Sequence, residues 1–250
     1  MTGRLSIVGI GPGDEGLLTS LARRTLEEAT TVVGYRGYLD MLSRLLAGKA
    51  ALAYDLGQEV ERARKAVALA CQGERVALVS SGDPGIYGMA SPAVEAWLEL
   101  PGAERPRLEV VPGVPALTAC AALLGAPLGH DFAVVSLSDL LTPWDVIARR
   151  LEAAAAADFV LVLHNPRSRA RTWQLGEARR LLLRHRPPDT PVGVVRGAFR
   201  SGQRVAIATL GDLDESVVDM ETTLIVGSSR TSARDGLMLT PRGCAGEGRT

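Results

Sequence analysis

An α/β protein of two domains, with a mainly parallel sheet in the first and a mixed sheet in the second, is the fold class that the sequence predicts. Three observations carry it. The apolar runs 5–10, 76–79 and 108–111 each end in a Gly/Pro loop that leads toward a helical pattern, as strands of a parallel sheet do. A composition shift at Gly125-Ala126-Pro127-Leu128-Gly129-His130 marks a boundary, giving expected domains 1–128 and 129–243 and a mobile tail, 244–250. Beyond it, the runs 192–195 and 205–209 are joined by a connector short enough for an antiparallel pair, which makes the second sheet mixed.

Composition bounds the rest. A chain of 250 residues with 46% hydrophobic content can bury a substantial core. Twenty-eight basic residues balance 28 acidic ones, so no long-range field favours nucleic acid or an anionic membrane surface. Cys71, Cys120 and Cys244 are far apart and lack CxxC spacing, which points to incidental thiols in a reducing compartment and to no structural metal. No stretch fits a signal peptide or a membrane span, so the expected location is the cytoplasm.

The elements follow in order. After the first strand, the helical pattern begins near Thr19 or Ser20, with Leu21, Ala22, Leu26 and Ala29 on one face. A second strand at 31–33, a helix over 39–46 and a strand over 50–54 come next. Residues 59–71 repeat Val60, Ala63, Val67 and Ala70 at helical spacing. The strand at 76–79 precedes a helix over 91–100, and the strand at 108–111 precedes an Ala-rich helix, 116–124. In the second half, 133–136 predicts a strand. Thr142-Pro143-Trp144-Asp145 predicts a helix start, with Thr142 as N-cap and Asp145 reaching back to it. A buried strand over 159–163 leads to His164-Asn165-Pro166-Arg167-Ser168 and a basic helix up to about His185, stopped by Pro187-Pro188. The final strand is 222–226, and the Gly/Arg-rich segment from Ser228 onward is expected to be partly mobile.

The stretch Ser80-Ser81-Gly82-Asp83-Pro84-Gly85-Ile86-Tyr87-Gly88 is the most informative loop. Its glycines let backbone approach a ligand, Asp83 offers an acceptor and Tyr87 a flat face, although Gly-Asp-Pro-Gly also suits a plain turn. Gly11-x-Gly13-x-x-Gly16 formally satisfies the dinucleotide fingerprint and keeps open a nicotinamide-dependent dehydrogenase. Against that, the glycines do not open the helix, and Gly34-Tyr35-Arg36 after the second strand supplies no acidic residue for a ribose. HExxH, GxSxG and GxxxxGK[ST] are absent, and His130, His164 and His185 lack ligand spacing. Several backbone-rich strand-end loops suit holding a bulky cofactor against a substrate, where proximity supplies most of the rate.

Taken together, Val8-Gly9-Ile10-Gly11-Pro12-Gly13-Asp14, Ser81-Gly82-Asp83-Pro84 and Val111-Pro112-Gly113-Val114 resemble the three loops of the tetrapyrrole methylase family. Longer matches are Gly57-Gln58-Glu59-Val60-Glu61-Arg62-Ala63, Ser80 to Met89, His130-Asp131-Phe132, Ser136 to Trp144 and Asn165 to Ser168. They are similar to the branch that methylates a corrin precursor and contracts its macrocycle. The resemblance implies two α/β domains with the active site in the cleft between them, S-adenosyl-L-methionine as cofactor, a tetrapyrrole substrate and a homodimer. It implies cofactor contacts at Pro12, Gly82, Asp83, Ile86, Ala116, Asn165, Ala198, Thr222 and Thr223. Arg36, Arg167, Arg169 and Arg196, in or beside strand-end loops, are candidates for pairing with the substrate's carboxylates. Asp14, Glu59 and Ser138 are candidates for the proton transfers of ring contraction, with Glu59 equally readable as an N-terminal helix charge.

Overall fold

The computed structural model describes residues 3–243; Cys244 and the tail expected to be mobile, 244–250, lie outside the described residues. Packing divides the chain into two units, Met1–Ala116 and Leu117–Thr250. The division falls before the Ala-rich helix rather than after it, at 128. That helix buries Leu117, Ala119, Cys120, Ala121 and Leu124 in the second unit, where Leu124 lies over Gly193.

The first unit strings together β1 (Arg4–Gly9), α1 (Ser20–Glu28), β2 (Thr31–Tyr35), α2 (Arg36–Met41), β3 (Ala50–Tyr54), α3 (Glu59–Cys71), β4 (Arg75–Ser80), α4 (Ala90–Leu98) and β5 (Arg107–Val111). The strands form one sheet in the order β3-β2-β4-β1-β5, with every pairing parallel. Strand alternation divides the core between the two faces. Val8, Val32, Ala77 and Val79 pack with Ala22 and Leu26 of α1 and Leu39 of α2, while Leu5, Ile7, Val33, Val76 and Leu78 pack with α3 and α4. Thr19 caps α1 by accepting from the Ala22 amide at 3.1 Å. The helix expected over 39–46 stops at Met41, because Leu42 and Leu45 donate three residues back, to Leu39 and Leu42, and tighten the chain into turns that still bury Leu42 and Leu46.

The second unit comprises α5 (Ala116–Leu124, beginning at the division), β6 (Gly125–Ala126), β7 (Phe132–Ser136), α6 (Trp144–Ala156), β8 (Val160–His164), α7 (Gln174–Leu182), β9 (Pro191–Arg196), β10 (Arg204–Thr209), β11 (Thr222–Val226), β12 (Ser232–Arg234) and β13 (Leu237–Leu239). Its main sheet runs β10-β9-β11-β8-β7, parallel only between β7 and β8. The antiparallel pair predicted from the short connector is β9 and β10. Three expectations change here. Pro143, not Thr142, stands at the N-cap of α6, because Pro143 is itself extended (φ −55°, ψ 143°) and the helix begins only after it, and Asp145 faces Arg149 at 3.9 Å instead of the cap. The basic helix starts only at Gln174, because 165–173 is held as a loop by Arg171. The segment expected to be mobile from Ser228 contains the hairpin β12–β13, which pairs with β6. Its turn is Asp235-Gly236, both at positive φ (50° and 76°), the two-residue turn that Asp-Gly favours.

Among the described residues, no helix is long and apolar enough to cross a membrane.

Candidate functional site

Each unit gathers candidate residues at one edge of its sheet. In the first unit the strand order makes β4, β1 and β5 neighbours, with Gly9 level with Ser80 and Val8 level with Val111. Their three carboxyl-end loops therefore emerge side by side, where open parallel sheets bind ligands. Gly11 and Gly82 exchange backbone hydrogen bonds (2.8 and 3.2 Å), which sets Pro12 and Asp83 on either side of one bridge. Asp83 then stitches two loops together: one oxygen accepts from the Gly85 amide at 2.8 Å and the other from Gly113 at 3.1 Å. The glycines are required by contact. A Cβ on Gly113 would stand 2.2 Å from the Gly82 carbonyl oxygen, and one on Gly9 would stand 2.6 Å from the Gly113 nitrogen. Ala116 opens α5 within van der Waals reach of Gly82, and Ile86, 38% exposed, stands on the same loop. Pro12, Gly82, Asp83 and Ala116 are thus brought together.

The other candidates of this unit have local duties. Asp14 caps a short 3-10 turn by accepting from Gly16 at 2.7 Å, and lines a recess of about 200 Å³ with Ile10, Leu18, Met41 and Arg44. Glu59 begins α3, accepts from Gly57 at 3.2 Å and faces the buried Arg62 at 3.8 Å. Arg36 is exposed at the start of α2, 3.8 Å from Asp55. The fingerprint Gly11-x-Gly13-x-x-Gly16 runs into the 3-10 turn Glu15–Leu17, and α1 begins only at Ser20. Its glycines do not open a helix onto a pyrophosphate.

In the second unit the antiparallel β11 brings its first residues beside the last residues of β8 and β9. Leu224 pairs with Leu163 and Thr222 with Arg196, while Ser136 at the end of β7 pairs with His164. Asn165, Ala198, Thr222, Thr223 and Ser138 consequently share one sheet edge. Asn165 takes the left-handed conformation (φ 51°), which asparagine tolerates, and its side-chain amide donates to Ser136 Oγ at 3.0 Å. The Ser138 amide donates to the same Oγ at 3.2 Å. Arg171, 6% exposed and not singled out by the sequence, donates to the carbonyls of Asn165 (2.8 Å) and Leu137 (3.3 Å) and locks the two loops together. A charged residue in an Arg-rich run shows no sign of burial, so only the packing identifies it.

Thr222 Oγ1 donates to Asp219 at 2.9 Å, and Thr223 Oγ1 lies 3.4 Å from His164 Nδ1. Burial pushes the Cys120 thiol up to about 11, against a weaker opposing hydrogen bond with Thr223. Arg167, Arg169 and Arg196 line one recess of about 460 Å³ together with Asp219, Met220 and Glu221. Within it Arg196 is committed to Asp219 (2.8 Å) and Glu221 (2.7 Å), and Arg167 donates to the Glu215 carbonyl at 2.7 Å.

Burial lowers the His164 imidazole to about 4 from its ordinary 6.5. It stays neutral in the folded protein while the unfolded chain protonates, so stability falls as pH drops from 6.5 toward 4 and is unaffected by this group above that window. The loss across the window reaches about 3 kcal/mol. Urea unfolding of wild type and His164→Gln at pH 7 and pH 4.5 checks it: the acid-induced loss should be smaller in the variant by about 2 kcal/mol. Equal losses would remove His164 from the acid sensitivity.

Comparison with known proteins bears on these two edges. The family Tetrapyrrole (Corrin/Porphyrin) Methylases matches residues 4–214. A probable cobalt-factor III C(17)-methyltransferase of Salmonella typhimurium is 46% identical over 241 residues, spanning 96% of this chain and 98% of that protein. A precorrin-3B C(17)-methyltransferase of a Sinorhizobium species is 46% identical over 253 residues, spanning 98% and 99%. Other curated relatives are longer: the chain spans about half their length, 45% in the case of the cobalt-factor III methyltransferase of Priestia megaterium. Among solved structures, the methyltransferase CobJ superposes with a TM-score of 0.90 at 35% identity, covering 96% of this chain and 100% of that one. A uroporphyrin-III C-methyltransferase of Thermus thermophilus, complexed with S-adenosylhomocysteine, superposes at 0.69 with 29% identity, covering 90% and 97%. The match over residues 4–214 takes in the three glycine loops of the first unit and most of the strand-end loops of the second, and on that extent the chain belongs to the tetrapyrrole (corrin/porphyrin) methylase family.

Proposed function

We propose that the protein is a methyltransferase of cobalamin biosynthesis that methylates precorrin-3B, or its cobalt-bearing counterpart, at C-17 and contracts the ring, with S-adenosyl-L-methionine as methyl donor. The observation that carries the reading is the junction of three glycine loops at the Gly11–Gly82 bridge, in a chain whose full-length relatives bear C(17)-methyltransferase names. The bridge fits the cofactor: it sets Pro12 and Asp83 on either side of one point and leaves Ile86 as an apolar surface on the same loop as Asp83. When bound, the cofactor supplies an electrophilic methyl on its sulfonium. The chain supplies orientation, which is where most of the rate of a bimolecular transfer resides. Asn165, Ala198, Thr222 and Thr223 are the second unit's proposed cofactor contacts, and Asp14, Glu59 and Ser138 remain the proposed proton-transfer groups. The proposed assembly is a homodimer, to be read by sedimentation.

Calorimetric titration separates this reading from a dehydrogenase. S-adenosylhomocysteine should bind and NADPH should not; the reverse would overturn the proposal. Turnover of precorrin-3B and of cobalt-factor III, followed by mass, then assigns the substrate, and product from neither would move the enzyme to another step of the family.

The substrate's carboxylates are proposed to meet Arg36, Arg167, Arg169 and Arg196 unequally. In the recess of the second unit, Arg196 is already neutralised by two carboxylates and Arg167 is fixed by a carbonyl, whereas Arg169 is exposed. Arg169→Gln should therefore raise KM about fivefold with kcat held, as expected for one exposed ion pair. The increase should shrink at high salt. A KM unchanged at low ionic strength would take Arg169 out of substrate binding.

A further inference from the structure

The stretch 57–63 leads into α3. Its interior holds the least expected charge in the first unit. Arg62, on α3, is only 3% exposed. Its Nη2 lies 2.9 Å from the sulfur of Met89 and 3.8 Å from Glu59 Oε1, while Nε and Nη1 have no hydrogen-bond partner among the described residues. A thioether is a weak acceptor, so this is a costly burial for a guanidinium. An apolar side chain would fill the same volume at lower cost.

Where the guanidinium sits gives the reason. Met89 is the last residue of the 80–89 loop, and its amide donates to Ser80 Oγ, at the first residue, at 3.3 Å. The Ala90 amide donates to the Pro84 carbonyl at 2.9 Å, so the loop folds back and closes on itself. The closure is tight: a Cβ on Gly88 would meet Ser80 Oγ at 2.6 Å and the Pro84 oxygen at 2.8 Å. Arg62 abuts this closure from α3, and Glu59, one turn earlier and half-exposed, faces it as counter-charge.

We propose that Arg62 is a positioning residue: through Met89 it holds the 80–89 loop closed, with Glu59 as its counter-ion, and so fixes where Gly82, Asp83 and Ile86 stand. This rests on the assignment of that loop to the cofactor, but the loop's own rigidity can be measured without any cofactor. A residue that only fills space and a residue that positions the loop differ in what Arg62→Met does. Replacing a buried charge by an apolar side chain of similar size leaves stability unchanged or higher. If Arg62 positions the loop, the loop loosens all the same.

The test is hydrogen exchange on the ligand-free protein, with thermal unfolding alongside. In Arg62→Met the amides of 82–89 should exchange at least tenfold faster, with β4 and α3 unchanged and the thermal midpoint unchanged or raised. Met89→Leu, which conserves volume and removes the sulfur, should loosen the same residues, and it carries the test should Arg62→Met fail to fold. Arg62→Lys, which keeps the charge without the planar fork, should fall between wild type and Arg62→Met. Unaltered exchange over 82–89 in both Arg62→Met and Met89→Leu overturns the proposal, as does acceleration spread equally over β4 and α3. S-adenosylhomocysteine affinity is read last, with Kd in Arg62→Met expected to rise at least tenfold. If wild type binds none, the cofactor assignment fails while the exchange result still decides what Arg62 does.

Discussion

Gly113→Ala should cost the first unit about 3 kcal/mol and weaken S-adenosylhomocysteine binding by roughly a hundredfold, whereas Gly82→Ala should cost about 1–2 kcal/mol and weaken binding less. The ranking is the informative part. Gly82 has the left-handed backbone (φ 65°), so conformational preference alone would make it the more sensitive glycine. Yet a Cβ on Gly82 meets its nearest neighbour, the Ala116 nitrogen, at 3.5 Å, an ordinary contact. On Gly113 the added carbon falls 2.2 Å from the Gly82 carbonyl oxygen and within 2.9 Å of two Gly9 backbone atoms. Backbone cannot turn aside as a side chain can, so the loop after β5 must lift away from the loops after β1 and β4. That movement also breaks the Gly113–Asp83 hydrogen bond. Urea unfolding followed in the first unit, together with calorimetry, reads both effects. A larger loss in Gly82→Ala than in Gly113→Ala would mean that backbone conformation, not the packing of three loops, sets the glycine requirement.

Sequence legibility followed the physics that acts locally. Strand runs such as 76–79 were visible because burial on both faces of a parallel sheet demands continuous apolar residues. The helix over 59–71 was visible because its apolar face repeats at helical spacing, and α3 has those bounds. The three glycine loops could be placed at one edge because βα units fix which strand ends carry loops. Which of them touch depends on the order β4-β1-β5, a long-range choice that no local pattern encodes. The same limit hid Arg62 and Arg171, charged residues whose burial depends on loops brought in from elsewhere. It also hid the gathering of Thr222, Thr223 and Asn165, which needs β11 to run antiparallel to β8. The hairpin at Asp235-Gly236 is a different kind of omission, because the Asp-Gly signal stands in the sequence. It was outweighed by the polar, Gly/Arg-rich composition around it, and what orders the segment is its pairing with β6, more than a hundred residues away.

Asp83→Ala should lower affinity for S-adenosylhomocysteine more than tenfold and cost about 2–4 kcal/mol of stability, with Asp83→Asn near half of each. Both carboxylate oxygens are engaged, on the Gly85 and Gly113 amides, and hydrogen bonds to a charged acceptor contribute about 1.5–3 kcal/mol when partly buried. Asparagine keeps a single carbonyl oxygen, so it can satisfy one of these amides and must present its own NH₂ to the other. The carboxylate therefore has two possible ways to act on the cofactor: by touching it, or by holding the loop after β5 against its neighbours. A double-mutant cycle with Gly113→Ala separates them. If Asp83 works through the loop, Gly113→Ala has already broken the tie, and adding Asp83→Ala should cost little more. The coupling should then reach at least about 1 kcal/mol, in the range of residues in direct contact. If Asp83 binds the cofactor itself, the second substitution removes an independent contact, and the losses in residual affinity should add. Additivity would leave Asp83 as a direct ligand and make its bond to Gly113 incidental; strong coupling would make the aspartate the clasp between two loops of the site.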